Sequence, residues 1–166
     1  MPNGGSSHAL LSFAICGAAS VLEGAAAGGD VRARYAELRL PPFSPPFPLW
    51  IAIGLAYYTM CFVVLWRLLS LDPGLARTIA LALIVTIMMI NAAWGLLFFR
   101  LRDFRASYLA FFPYGALVVA LTLLLARIDV GGAFVVLPYA LYLVYATWWG
   151  RAVWRLNDAR GPRAPR

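Results

Sequence analysis

The chain has 166 residues, of which 63% are hydrophobic and only 13% are charged. A soluble domain is nearer half apolar and a quarter charged, and one soluble fold of this length has too little interior to bury so much apolar surface. The net charge of +7 comes from arginines without any lysine, and most of these arginines lie between apolar runs. The composition therefore excludes a soluble enzyme or a nucleic-acid-binding module and predicts an integral membrane protein.

Four charge-free runs of 21 to 27 residues, and a fifth run interrupted only by Glu23, follow one another along the chain. Each can cross a hydrocarbon core as a helix, which takes about 20 residues. Open strands are excluded because their unpaired backbone N–H and C=O groups would have no partner in lipid. We predict an all-α bundle of five transmembrane helices, at about residues 8–27, 47–69, 76–99, 106–126 and 132–154. They form one domain over residues 1–157, and the basic tail 158–166 is expected to be disordered.

The arginines are divided unevenly between the two sides of this bundle. With five spans, the first link, the third link and the C-terminal tail lie on one side, which carries 11 of the 14 arginines. Cytoplasmic segments of membrane proteins carry such an excess of basic residues, so we expect the N-terminus outside and the C-terminus in the cytoplasm. The Arg-, Ala- and Gly-rich composition favours a GC-rich bacterium and hence a bacterial inner membrane.

The sequence lacks the residue sets of common catalytic and metal sites. One His and two Cys leave nothing for a zinc cluster or a disulfide framework, and no zinc-protease, phosphate-loop or dinucleotide motif is present. Paired carboxylates and a nucleophile–base set are also missing. We therefore predict no catalytic residue, no metal site and no required cofactor.

Glu23 is the one acidic residue inside an apolar run. An ionisable group within a membrane is a candidate for ligand or proton handling. Because Glu23 lies near the cytoplasmic end of the first helix, its side chain can instead simply reach the interface. A small proton-coupled exporter that uses Glu23 is one alternative function, although five spans without an internal repeat are atypical of transporters.

Aromatic and amide side chains recur at helical spacing in the cytoplasmic half of the predicted bundle. They either form interhelical hydrogen bonds and packing or line a largely apolar pocket for a flat hydrophobic ligand. The set comprises Tyr58 on the second helix, Asn91, Trp94 and Phe98 on one face of the third, and Tyr139, Tyr142, Ala146 and Trp149 on one face of the fifth.

Five prolines, among them Pro45 and Pro46, lie within residues 41–48, directly before the second helix. Proline favours extended backbone and removes an N–H donor, so this part of the first link is stiff. It serves either as a lid over the cytoplasmic mouth of the bundle or as a rigid spacer.

Three blocks of the sequence resemble the translocator protein family, also called the tryptophan-rich sensory proteins or the peripheral-type benzodiazepine receptor family (TspO/MBR). The family's first-loop pattern W-Y-x-x-L-x-K-P-x-W-x-P-P corresponds to residues 34–46, and its N-x-x-W-x-x-x-F-F pattern to residues 91–99. The fifth-helix pattern corresponds to Pro138-Tyr139, Ala146-Thr147 and Arg155-Leu156-Asn157. The resemblance as a whole spans about residues 10–157.

The resemblance implies a homodimeric five-helix bundle that binds porphyrins, sterols or other lipids in a pocket closed by the first loop. It implies roles in sensing or transport and, in some bacteria, light-dependent porphyrin degradation. The pocket residues carried over by position are Tyr35, Pro45, Pro46, Tyr58, Asn91, Trp94, Tyr139 and Ala146. We expect ring stacking from Phe43, Trp94, Tyr139 and Tyr142, and pairing of ligand carboxylates with Arg34 or Arg39.

Several positions depart from the family's pattern. Arg34 and Phe43 replace two first-loop tryptophans, Gly54 stands where the second helix often has tryptophan, and Tyr142 replaces a fifth-helix tryptophan. The loop and fifth-helix tryptophans are tied to porphyrin photochemistry in the family. We therefore expect a receptor or carrier for porphyrin- or heme-like ligands, with a light-dependent porphyrin-degrading enzyme as the alternative.

Overall fold

The computed structural model describes residues 4–158 and is helical throughout its length, apart from short links. Its helices are α1 (Gly4–Ala27), α2 (Val31–Ala36), α3 (Phe47–Leu69), α4 (Leu75–Gly95), α5 (Phe104–Ile128) and α6 (Val130–Asn157). One π-helical turn, Leu96–Arg100, extends α4. Within the described residues five helices are long and apolar enough to cross a membrane, which confirms the predicted all-α bundle of five candidate spans. The predicted disordered tail lies outside the described residues, except for Asp158.

The helix bounds differ from the sequence-based ones mainly at the last corner and in the first link. α5 and α6 are longer than predicted and are separated by Asp129 alone. The charges of Arg127 and Asp129 end the apolar runs but do not interrupt the backbone hydrogen bonds, since the Asp129 amide still bonds to the Leu125 carbonyl at 2.7 Å. The short α2, held by the Asp30 cap, lies in the first link where no helix was predicted.

The first link, the α4–α5 corner and the C-terminal end of α6 meet at one end of the bundle, here called the loop end. Arg102 forms an ion pair with Glu37 at 2.6 Å. The Asn157 amide bonds to both the backbone N–H and the carbonyl of Arg39. These contacts agree with the predicted grouping of links, while the cytoplasmic location of the loop end stays a prediction.

The half of the bundle away from the loop end, here called the far half, is packed with aliphatic side chains. Its buried members include Val64, Leu65, Leu68, Ile84, Ile87, Met88, Val118, Leu121 and Leu125. At its edge the Arg67 guanidinium donates to Asp129, with Nε 2.8 Å from Oδ2. This hydrogen bond lowers the pKa of the Asp129 carboxyl, which lies between two spans. The pair thereby ties the end of α3 to the α5–α6 corner.

The first link leaves α1 through a left-handed residue. Gly28 has φ 79°, a conformation that glycine adopts without steric cost. An added Cβ at this position would lie 3.3 Å from Nη1 of Arg34. That same nitrogen donates to the carbonyls of Ala27 and Phe99, each at 3.1 Å. Arg34 therefore joins the end of α1 to the π-helical turn after α4.

Candidate ligand-binding site

A cavity of about 100 Å³ lies between the five long helices, in the half of the bundle next to the loop end. Half of its lining residues are aromatic, and among the described residues Glu23 is the only charged one. The lining consists of Glu23, Trp50, Ile53, Gly54, Tyr57, Ile90, Asn91, Trp94, Ala110, Phe111, Tyr114, Tyr139, Tyr142, Leu143, Ala146 and Trp149.

Helical periodicity explains how these residues converge. On α6, Tyr139, Tyr142, Ala146 and Trp149 follow a spacing of three, four and three residues, which keeps them on one face. Small residues, such as Ala146 and Gly54, alternate with the large rings and leave space between them. The alternation of small and large side chains on the inward faces of the helices thus shapes the cavity.

The Trp94 ring forms the part of the wall nearest the loop end, and it is held on several sides. It stacks on Phe98, with ring centroids 4.7 Å apart, and faces Trp50 at 6.2 Å. Its Nε1 donates to the Ser107 carbonyl at 3.2 Å. Stacking and a hydrogen bond therefore fix the position of this ring in the cavity wall.

Three tyrosines form the opposite part of the wall. The hydroxyls of Tyr114 and Tyr139 lie 2.7 Å apart and share a hydrogen bond. The Tyr57 ring lies 5.1 Å from the Tyr139 ring. Tyr57 is only 4% exposed, and within the described part of the chain its hydroxyl has no hydrogen-bond partner. A buried hydroxyl without a partner is costly, so this group is a candidate contact for a ligand.

The carboxylate of Glu23 joins α1 to α3 and α4 at the cavity wall. Its Oε2 accepts hydrogen bonds from the Tyr58 hydroxyl at 2.6 Å and from Nδ2 of Asn91 at 3.0 Å. These bonds orient the side chain inward, between helices. The structure therefore places Glu23 in the cavity wall and not at the end of the helix reaching for the interface.

A second hollow of about 260 Å³ adjoins the cavity between α3 and α6. The two share Ile53, Tyr57, Tyr139 and Tyr142 as lining residues. The second hollow is also lined by Ala56 and Pro138, which are exposed. It therefore reaches the outer surface of the bundle, where a membrane protein meets lipid.

Two side chains of α6 hold the proline-rich part of the first link against the bundle, and Tyr35 of α2 adds a hydrogen bond within the link. The Trp149 indole donates from Nε1 to the Ser44 hydroxyl at 2.9 Å, and the Tyr145 hydroxyl donates to the Phe43 carbonyl at 2.9 Å. The Tyr35 hydroxyl donates to the Pro45 carbonyl at 2.6 Å. Burial raises the pKa of Tyr35, so this hydroxyl keeps its proton and its role as a donor.

Six of the residues singled out from the sequence line the cavity: Glu23, Asn91, Trp94, Tyr139, Tyr142 and Ala146. Tyr58 and Phe98 lie one layer behind, where Tyr58 binds Glu23 and Phe98 stacks on Trp94. The structure thus brings the two helical faces together as expected, with α1 supplying the acid.

The first-link residues singled out from the sequence do not line the cavity. Phe43 has a left-handed backbone, with φ 63°, and its ring is 90% exposed. Tyr35 and Pro45 are buried in the link itself, while Pro46 is exposed.

Neither of the two arginines expected to pair with ligand carboxylates lines the cavity. Arg34 binds two backbone carbonyls, and Arg39 lies exposed at the loop end. Both positions lie outside the cavity because the first link passes over its rim and does not enter it.

Trp149, which lies on the predicted face with Tyr139, Tyr142 and Ala146, also lines the cavity. Sequence reasoning missed Trp50 and Tyr57 as lining residues, and the whole contribution of α5. Phe111 and Tyr114 of α5 have the i, i+3 spacing that identified the other faces. However, α5 also carries Tyr108 and the exposed Phe112, so its aromatic residues surround the helix and mark no single face.

The comparisons with known proteins concern this whole bundle. None of the curated proteins matches the chain. The sequence model of the TspO/MBR family matches residues 12–155, a stretch that includes every residue of the cavity wall. This confirms the resemblance of the three sequence blocks, and the chain therefore belongs to the TspO/MBR family.

Proposed function

We propose that this protein is a membrane receptor or carrier that binds tetrapyrroles, such as protoporphyrin IX or heme, or similar flat hydrophobic ligands. The observation that carries the proposal is the aromatic cavity under the first link, with the fixed Trp94 ring on one side and the tyrosines of α3, α5 and α6 on the other. Largely apolar pockets with a few polar groups are typical of sites for such ligands.

The size of the cavity sets a condition on binding. About 100 Å³ is less than the roughly 300–1,000 Å³ of a pocket for a drug-sized ligand. A tetrapyrrole therefore needs the cavity to join the second hollow, by rotation of the shared Tyr57, Tyr139 and Tyr142, or needs the first link to lift. In this proposal the link is a lid, and the hollow between α3 and α6 admits ligands from the bilayer.

Ligand orientation follows from the positions of the polar groups. The arginines of the loop end lie outside the cavity wall, so the carboxylates of a porphyrin would face that end, near the exposed Arg39. The apolar macrocycle would lie between Trp94 and Tyr142. The proposal includes the bacterial inner membrane, with the loop end in the cytoplasm, and the homodimer that the family resemblance implies.

The test is a titration in the dark of the detergent-purified protein with protoporphyrin IX, followed by the shift of its Soret absorption band. Ala146→Phe fills the cavity from α6, whereas Val144→Phe adds the same ring on the exposed face of the same helix. We expect saturable binding to the wild type and to Val144→Phe, and at least about tenfold weaker binding to Ala146→Phe, equivalent to about 1.4 kcal/mol. Trp94→Ala should also weaken the binding of protoporphyrin IX.

Two results would contradict the proposal. The first is the absence of saturable binding to the wild-type protein. The second is equal affinity of Ala146→Phe and Val144→Phe, which would place the porphyrin on the surface of the bundle and not in the cavity.

A further inference from the structure

Among the described residues, the cavity wall contains one acidic side chain, Glu23, and no basic side chain. In the described part of the chain, Glu23 forms no ion pair, and no arginine lines the cavity. The nearby cationic groups of the loop end are engaged elsewhere, Arg34 with two backbone carbonyls and Arg102 with Glu37. An ionised carboxylate at membrane depth is costly unless a cation accompanies it.

The hydrogen bonds of Glu23 leave one of its oxygens available. Both the Tyr58 hydroxyl and the Asn91 amide donate to Oε2. Among the described residues Oε1 receives no hydrogen bond. The carboxylate is therefore held by one oxygen, in a fixed orientation, with the other oxygen still able to accept a hydrogen bond from a ligand.

An independent observation on α3 also points to a ligand with polar hydrogens. The hydroxyl of Tyr57, which lines the same cavity, is buried and has no partner within residues 4–158. A hydroxyl accepts as well as donates, so the N–H groups of one ligand can satisfy both it and Glu23. The site thus offers two acceptors, Glu23 Oε1 and the Tyr57 hydroxyl, that have no donor among the described residues.

The aromatic wall favours the same ligand charge. A cation is attracted to the face of a tryptophan or tyrosine ring, and more strongly in a desolvated site. Trp50, Trp94, Tyr57 and Tyr142 all line the cavity. An anionic ligand group in this position would instead meet the carboxylate and the electron-rich ring faces.

We propose that, among flat aromatic ligands that lie wholly within the cavity, the site selects those that carry a protonated amine or amidinium group, with Glu23 as the counter-ion and Tyr57 as a second acceptor. A tetrapyrrole differs because its carboxylates extend out of the cavity towards the loop end. This inference rests on the proposed function, since it concerns the ligands of the same cavity. It assigns to Glu23 and Tyr57 the recognition of charge, and to the rings the recognition of shape.

The test uses three probes of similar size and different charge, in an uncharged detergent. They are 9-aminoacridine, which is a cation at neutral pH, anthracene-9-methanol, which is neutral, and anthracene-9-carboxylate, which is an anion. Equilibrium dialysis against the purified protein should show the cation bound at least about tenfold more tightly than the neutral probe, as one charge-assisted hydrogen bond provides, and the anion bound most weakly.

Variants assign this discrimination to residues. Glu23→Gln keeps the size and an acceptor oxygen but removes the charge, so the ratio of the affinities for the cation and the neutral probe should fall to about one. The control is Asp72→Asn, an exposed acid in the link between α3 and α4, which should keep the preference. Tyr57→Phe removes only the partnerless hydroxyl, so the variant should fold and should bind the cation a few fold more weakly.

The outcomes separate this inference from the proposed function. Equal binding of the cation and the neutral probe, or a preference that survives Glu23→Gln, overturns the inference. If protoporphyrin IX binds in the cavity while the three probes show no saturable binding, the inference also falls and the proposed function stands. If neither protoporphyrin IX nor any probe binds, both fall.

Discussion

The two halves of the bundle are built from the same five helices but differ in their side chains. In the far half, branched aliphatic residues, such as Leu65, Ile84 and Leu121, fill the space between the helices and are almost completely buried. In the half next to the loop end, large rings alternate with Gly54, Ala110 and Ala146, and a cavity remains. The same helices run through both halves, and the half with the cavity also contains Pro113, Pro138 and the π-helical turn. The two halves differ most in the shape of the side chains that fill the space between the helices.

This difference shows how a small membrane protein combines stability with a site. Aliphatic side chains interdigitate at crystal-like density, whereas planar rings held by stacking and hydrogen bonds leave gaps that they cannot close by changing rotamer. The polar groups of Glu23, Asn91 and Tyr114 are also confined to the half with the cavity. The densely packed core thus lies away from the cavity, and hydrogen bonds from α6 hold the first link beside the cavity.

The largest effect should come from removing a side chain of the far half. Leu121 is 1% exposed, and Leu121→Ala should lower the free energy of unfolding by about 2–5 kcal/mol, because the packed neighbours cannot close the space. Leu143→Ala should cost less, since Leu143 already borders the cavity and loses fewer contacts. Leu123 of α5 is 63% exposed, so Leu123→Ala is the control and should have little effect.

Unfolding by heat or denaturant in detergent micelles measures these three variants. If Leu143→Ala costs as much as Leu121→Ala, the two halves are equally packed and the contrast between them is wrong.

The ion pair at the edge of the far half should give the next largest effect. Arg67 is partly exposed, so we expect Asp129→Asn to cost about 1–2 kcal/mol, between the values for surface and buried pairs. Because Arg67 lowers the pKa of Asp129 below its ordinary 3.8, this stability is fully present above pH 3.8 and is lost as the pH falls through the lowered pKa.

Thermal unfolding of the wild type and of Asp129→Asn between pH 7 and pH 3 checks this sign. The difference between the two melting temperatures should be constant down to about pH 4 and should shrink below it. Asp72→Asn, an exposed acid in the link between α3 and α4, should show no such difference. A gap that widens in acid would contradict the assignment.

A smaller effect is expected where the first link is fastened over the cavity. Trp149→Phe removes the donor to Ser44, a bond that contributes about 1 kcal/mol, so the link should open about fivefold more often. Amide hydrogen exchange at Arg39 and Ser44, whose N–H groups are hydrogen-bonded, measures this opening. Trp148→Phe, at the exposed neighbouring position, is the matched control, and equal exchange in both variants would show that the bond does not hold the link.

The helices and the family could be predicted from the sequence because both depend on local patterns. Apolar runs give the spans directly, and the blocks around Tyr35, Asn91 and Tyr139 kept their spacing. The bounds of α5 and α6 differed because charges at a corner end the apolar run before the helix ends.

The composition of the site could be predicted only in part, because it depends on how helices face one another. Asn91 and Tyr139 were each found from the spacing of residues within their own helix. The inward orientation of Glu23 depends on Tyr58 and Asn91, which lie on two other helices, and the outward ring of Phe43 depends on a left-handed backbone. Neither feature has a signature within a single segment.

The smallest effect concerns two glycines of the cavity half that differ in the space around them. At Gly54 an added Cβ meets nothing within 4 Å, whereas at Gly150 it would lie 2.8 Å from Cε2 of Phe111. Glycine inside a helix costs up to about 1 kcal/mol relative to alanine. Gly54→Ala should therefore raise the free energy of unfolding by up to about 1 kcal/mol, while Gly150→Ala should lower it, because the Phe111 ring must move. If Gly54→Ala also destabilises the protein, the space at Gly54 is needed for packing and not left for a ligand.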